Sequence, residues 1–192
     1  MFKKMTNRYR YTIILLKQLV KTDFKIRYQN SILGYLWSLL RPLALFIILY
    51  VVFTKFLKIG TAVPHYPVYL LLGIVLWNYF IEVTTGSVSV IVSKGDIMRK
   101  INFPRYVIIL AGSFSALINL FLNLIVIGVF MYLSNVEIRP VALLFPLLVI
   151  ELFVFSLSVA FFLSAAFVRY RDVSYIWEVC VQGAFYATPI LY

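Results

Sequence analysis

From Tyr106 to Leu133 the chain reads YVIILAGSFSALINLFLNLIVIGVFMYL, and from Pro140 to Val168 it reads PVALLFPLLVIELFVFSLSVAFFLSAAFV. The first stretch carries no charge and the second only Glu151. A hydrocarbon layer about 30 Å thick is crossed by about 20 apolar residues in helix, and both runs exceed that. Neither alternates polar with apolar residues as a barrel strand does. Because lipid offers no partner for a free N–H or C=O, each run has to bond internally, as helix. Working outward, Gly34–Thr54, Tyr66–Thr85 and Val173–Tyr192 qualify by the same test. The expected fold is all-α, a polytopic membrane bundle with five spans.

Composition agrees. Of 192 residues, 63% are hydrophobic and 13% charged, against roughly half and a quarter in soluble domains. A single cysteine, Cys180, excludes a disulfide scaffold. The net charge of +11 raises nucleic acid as a partner, until the basic residues are placed. Eight precede the first span, Lys94, Arg99, Lys100 and Arg105 lie between the second and third, and Arg169 and Arg171 between the fourth and fifth. Only Lys55, Lys58 and Arg139 fall on the other side. This asymmetry puts the N-terminus in the cytoplasm and explains the charge without nucleic acid.

The first thirty residues form a unit of their own, with the membrane-spanning part running from 31 to 192. In Tyr9–Gln29, Leu15, Leu16, Leu19, Val20, Phe24 and Ile26 gather on one arc of a helix. Lys17, Gln18, Lys21, Thr22 and Lys25 gather on the other, with Ile14, Asp23 and Arg27 out of place. A helix of this kind lies in the inner membrane interface, its basic face on anionic headgroups, or packs on a partner. It has neither the clean apolar core nor the small-residue cleavage site of a signal peptide.

No catalytic constellation is present. One histidine (His65) and one cysteine make neither a metal cluster nor a Cys–His pair, and no phosphate-cradling GxxxxGK[ST] occurs. No cofactor is expected, and ATP binding, if it drives this protein, belongs to another polypeptide. The loop Ser93–Arg105, SKGDIMRKINFPR, is too polar to span and too apolar to be a solvated turn. Asp96 can cap a short helix over about 94–104 with Ile97, Met98 and Ile101 on one side and Arg99 and Lys100 on the other. Such a helix is a docking knob for a soluble partner or an interfacial helix on lipid.

Three separated motifs resemble one family. Arg27-Tyr28 with Ser31-x-Leu33-Gly34-x-Leu36-Trp37-Ser38-Leu39-Leu40-x-Pro42-Leu43 is similar to the first-span signature of ABC exporter permeases of the type-2 class, which export O-antigen, capsule or teichoic acid. Lys100-Ile101-Asn102-Phe103-Pro104-Arg105 resembles the end of their coupling helix. Phe167-x-Arg169-Tyr170-Arg171-Asp172-Val173, with Phe185-Tyr186-x-Thr188-Pro189-Ile190, resembles their fourth-to-fifth turn and fifth span. Arg41 departs from the pattern, where a neutral polar residue such as Asn is expected, and so alters local pairing.

The resemblance implies a pair of permeases above two ATPase subunits, coupled through Asp96, Arg99, Lys100, Phe103 and Arg105. A lipid-linked polysaccharide then passes between the two permeases in the cytoplasmic membrane of a bacterium or archaeon. It also implies re-entrant helices and a sixth span after the fifth; the sequence stops at Tyr192 inside an apolar stretch, and the expectation is a chain cut short or an unusual terminus.

Aromatic residues make up 18% of the chain. Many mark span ends as interfacial anchors, but Trp77, Tyr79 and Tyr186 are candidates for a sugar-lining conduit. Arg41 and Glu82 lie near enough to span ends to reach the headgroups, whereas Glu151 has no such escape. It must face a polar cavity or another helix, as a structural hydrogen-bonding group or as part of the conduit. Two other classes are open: an ion-coupled secondary transporter relaying protons through Glu151 and Glu178, and a membrane scaffold for glycan synthesis. The first predicts inverted repeats, which are not seen.

Overall fold

The computed structural model describes residues 2–28, 34–56, 65–95, 104–137 and 140–190. Helix α1 is Phe2–Tyr28. A 3-10 turn at Gly34–Leu36 leads into α2, Trp37–Val51, which is extended by a π turn at Val52–Phe56. Helices α3 (Tyr66–Val88) and α4 (Val90–Ser93) follow, then α5 (Tyr106–Leu133). A 3-10 turn at Pro140–Leu144 opens α6 (Phe145–Arg169), and α7 is Val173–Ala187. Among the described residues there is no strand.

Among the described residues four helices are long and apolar enough to cross a membrane: Trp37–Thr54, Tyr66–Val88, Tyr106–Leu133 and Pro140–Arg169. The fifth expected span is shorter than its apolar run. At 1.5 Å per residue, the 15 residues of α7 reach about 22 Å, below a full crossing. The helix stops because Pro189 forces the residue before it out of the helical region, and Thr188 is extended, with ψ 146°. The chain still runs the depth of its neighbour. Trp177 packs on Phe80, Phe185 on Trp77, and the Tyr69 hydroxyl donates to the carbonyl of Pro189, so α7 and its tail lie antiparallel along α3. Ile190 then sits over Gly73, its Cγ2 2.8 Å from where a Cβ would be.

Helix α3 is the axis of the bundle, touching α2, α5, α6 and α7. Its Leu70, Leu71, Ile74, Val83 and Thr84 are almost wholly buried, where α2 buries only Pro42 and Phe46. Helix crossings in lipid depend on close backbone approach through small residues, because apolar side chains gain little there by leaving the solvent. On α6 that surface is Ser156, Ala160 and Ser164, spaced one helical turn apart and each at most 1% exposed. On α5, Ala111 and Ser115 begin a stripe of the same spacing. The hydroxyls of Thr84, Ser87, Ser113 and Ser164 bond back to carbonyls of the preceding turn, whereas those of Ser115 and Ser156 are buried at the crossings with no partner among the described residues.

Helix α1 packs on the bundle. Leu15, Leu16 and Leu19 pack on Val107 and Ile108 of α5, while Lys17, Gln18, Lys21, Thr22 and Lys25 are exposed. Ile13 and Ile14 add an exposed apolar edge beside them. Close packing at Ala160 predicts that Ala160→Leu overfills the α6 crossing and destabilises the bundle by about 1–3 kcal/mol. Thermal unfolding in detergent should register a lowered midpoint, with Phe162→Leu on the exposed face as the unaffected control.

Candidate functional site

Two features stand out: a polar cavity within the bundle and the foot of the loop between α4 and α5. The cavity, of about 560 Å³, lies between α2, α3 and α5. Its wall carries Ser38, Arg41, Asn78, Tyr79, Glu82, Asn119 and Asn123, and it opens past the exposed residues Trp37, Arg41, Thr85 and Gly86.

Each group is placed by the helix that carries it. Asn119 and Asn123 continue the small-residue stripe of α5, four residues apart and both buried. The Asn119 amide donates to Glu82 Oε1 at 2.9 Å. The Asn123 amide donates to the Asn119 carbonyl at 2.9 Å and to the Ser38 carbonyl at 3.4 Å. The second of these follows from the sequence of α2: Pro42 has no N–H, so the carbonyl four residues back, that of Ser38, loses its helical partner. Tyr79 is 2% exposed, and its hydroxyl has no hydrogen-bond partner among the described residues.

The foot of the loop is held from the side. Lys94, just past the end of α4, donates to Asp23 Oδ1 of α1 at 2.7 Å. This accounts for an acid out of place on the helical wheel: Asp23 faces Lys94. Of the coupling residues expected from the sequence, Arg105 is exposed at the start of α5, and Asp96, Arg99, Lys100 and Phe103 lie outside the described residues.

The four expected conduit residues are not brought together. Tyr79 lines the cavity. Trp77 stacks between Phe80 and Phe185, at 5.5 and 5.9 Å between ring centres, in a cluster that reaches Phe155 and Trp177 through Phe80. Tyr186 is 69% exposed on α7. Glu151 is exposed on α6, along a stripe with Leu147, Val154 and Ser158. Reading the sequence for ionisable groups passed over Asn78, Asn119 and Asn123. The signal was there, two amides one helical turn apart inside an otherwise apolar run. Among the described residues no three of His, Cys, Asp and Glu gather where a metal ion would be held.

A bundle of membrane-crossing helices with a half-open polar cleft and an amphipathic helix packed on one of its spans is the architecture of a multi-pass membrane protein. The ABC-2 type transporter family matches residues 14–192, and the chain belongs to that family. It is similar to two proteins of Klebsiella pneumoniae called O-antigen export system permease protein RfbA. They are 30% identical over 191 residues and 29% over 192, in each case 98% of this chain and 73% of the relative. A Myxococcus xanthus protein of the same name is 28% identical over 192 residues, 100% of this chain and 73% of its own length.

If the Asp23–Lys94 pair ties α1 to the loop, reversing either charge should lower the unfolding midpoint, and the double reversal (Asp23→Lys with Lys94→Asp) should regain most of the loss. The pair is partly exposed, so the coupling from a double-mutant cycle should be about 0.5–1 kcal/mol and shrink in high salt. Additive losses in the double variant would show that the two residues act separately.

Proposed function

We propose that this chain is the membrane subunit of an ATP-driven exporter that carries a lipid-linked polysaccharide, or a teichoic-acid-type polymer, across the cytoplasmic membrane. The observation that carries the reading is the likeness, over nearly the whole chain, to permeases named for O-antigen export. The N-terminus lies in the cytoplasm, on the side of most Lys and Arg residues. Two copies pair, and two ATPase subunits dock from below on Asp96, Arg99, Lys100, Phe103 and Arg105. The ATPases hydrolyse ATP, while this chain moves substrate and breaks no bond itself.

The fold supports this division of labour. The segment 96–103 joins α4 to the first residues of α5, so a displacement there acts directly on a membrane-crossing helix. The same segment begins two residues after Lys94, which is tied to α1. Glu151 and Tyr186 are exposed on the surface of the chain, where a second copy can meet them. A carboxylate facing hydrocarbon at a helix centre is disfavoured by roughly 3 kcal/mol, so Glu151 gains by such a meeting. Tyr79 and Trp77 lie further inside, as the wall behind the conduit.

The docking assignment is tested by co-expressing the chain with an ABC ATPase from an adjacent reading frame and purifying through a tag on the permease. Replacing Arg99, Lys100 and Phe103 by Ala should reduce ATPase recovery at least tenfold, a loss of about 1.4 kcal/mol, with membrane insertion unchanged. Undiminished recovery would overturn the assignment.

A further inference from the structure

The cavity between α2, α3 and α5 has more in it than packing requires. Protein interiors close to crystal-like density, and cavities that stay empty are apolar. This one is a half-open cleft whose apolar wall carries Arg41, Asn78, Tyr79, Glu82 and Asn119, so polar groups and apolar surface face the same space. Its volume of about 560 Å³ falls within the range of small-molecule sites. The hydrogen bonds from Asn119 to Glu82 and from Asn123 to Ser38 O account for two of its amides. They leave the Tyr79 hydroxyl, buried at the wall with no partner among the described residues, and a half-exposed indole, Trp37, at the mouth.

The charges narrow the ligand. Arg41 and Glu82 share the lining, so an anion meets an opposing carboxylate and a cation meets an opposing guanidinium. A neutral polyol meets neither obstacle. Carboxylate, amide and guanidinium groups are planar and present paired acceptors or donors, which matches two adjacent hydroxyls on a ring. The Trp37 indole offers a flat apolar face to the C–H side of the same ring, and the Tyr79 hydroxyl a further donor and acceptor.

We propose that each chain binds one neutral sugar ring in this cavity, inside its own bundle and apart from any path between two copies. Arg41, Glu82 and Asn119 hold its hydroxyls, and Trp37 covers its face. The proposal rests on the exporter reading and deepens it: the exporter senses or grips single sugar units within each half.

The test uses the full chain in phosphatidylcholine nanodiscs, titrated separately with D-glucose, D-galactose, D-mannose, L-rhamnose and inorganic pyrophosphate. Saturation-transfer NMR and tryptophan emission report binding. At least one sugar should bind saturably with millimolar affinity, and pyrophosphate should not. Tyr79→Phe removes only a hydroxyl and should weaken binding about 3-fold to 10-fold, the worth of one hydrogen bond. Asn119→Leu should weaken it further, and Trp37→Phe should abolish the emission change. Thermal unfolding of each variant separates lost binding from lost fold.

Saturation by pyrophosphate and by no sugar would make the cavity an anion site and overturn the proposal. So would the absence of saturable binding by all four sugars, which leaves water as the occupant. Sugar binding that is unchanged in Tyr79→Phe and Asn119→Leu would place it elsewhere and also overturn it. ATPase co-purification with the same variants reports on the exporter reading independently, since the docking loop is not altered.

Discussion

Hydrocarbon has no partner for a backbone carbonyl or an amide, so every polar group carried into it must be met by another part of the protein. The bond from the Asn123 amide to the carbonyl of Ser38 expresses that constraint most directly. Pro42 interrupts the bonding of α2 within an apolar span, and a side chain of α5 answers it across the bundle at 3.4 Å. Through Asn119 the same stripe reaches Glu82 on α3. Three spans that already share an apolar core, with Phe46 of α2, Leu71 and Ile74 of α3 and Leu120 of α5 in one cluster, are joined further by a polar seam, and the cavity is the space left beside it. Elsewhere the hydroxyls of Thr84, Ser87, Ser113 and Ser164 turn back on their own helices, so the helices approach through small residues with most of these groups paired.

This arrangement gives the helices different characters. Helix α3 is enclosed by α2, α5, α6 and α7 and acts as the fixed element. Helix α2 is bound mainly along one side, has a proline near its start and ends in a π turn. The aromatic cluster around Trp77, Phe80, Phe155, Trp177 and Phe185 joins α7 to α3 and α6 by ring packing, which constrains position less than hydrogen bonds do. The polar seam thus holds α2, α3 and α5 by hydrogen bonds, whereas the ring cluster holds α7 by apolar contact.

Much of this is legible in the sequence because apolar runs as long as Tyr106–Leu133 and Pro140–Val168 have no soluble alternative. The basic arc of α1 is legible for a similar reason, since period and charge coincide there. Two features are not. Composition continues past Ala187 as if the fifth span did, and the helix ends earlier because a local rule, the conformation forced on Thr188 by Pro189, overrides the apolar pattern. The cavity was hidden by attending to charge. Arg41 and Glu82 each have an apparent escape toward a span end, so neither demands a partner when read alone. What joins them to one wall is the pair of asparagines on α5, and an amide in a span draws less notice than a carboxylate although its need for a partner is the same.

The contact between α1 and the foot of the loop has a mechanical side. Segment 96–103 is anchored at one end to a rod that crosses the membrane, α5, and at the other, through Lys94, to a splint lying against that rod. Under the docking proposed above, a thrust on the segment would be shared between two members that are themselves packed together along Leu15, Leu16 and Leu19. The stiffness of this joint depends partly on an ion pair that surrounding electrolyte weakens, so under that proposal transmission would be sensitive to the ionic milieu at the membrane surface.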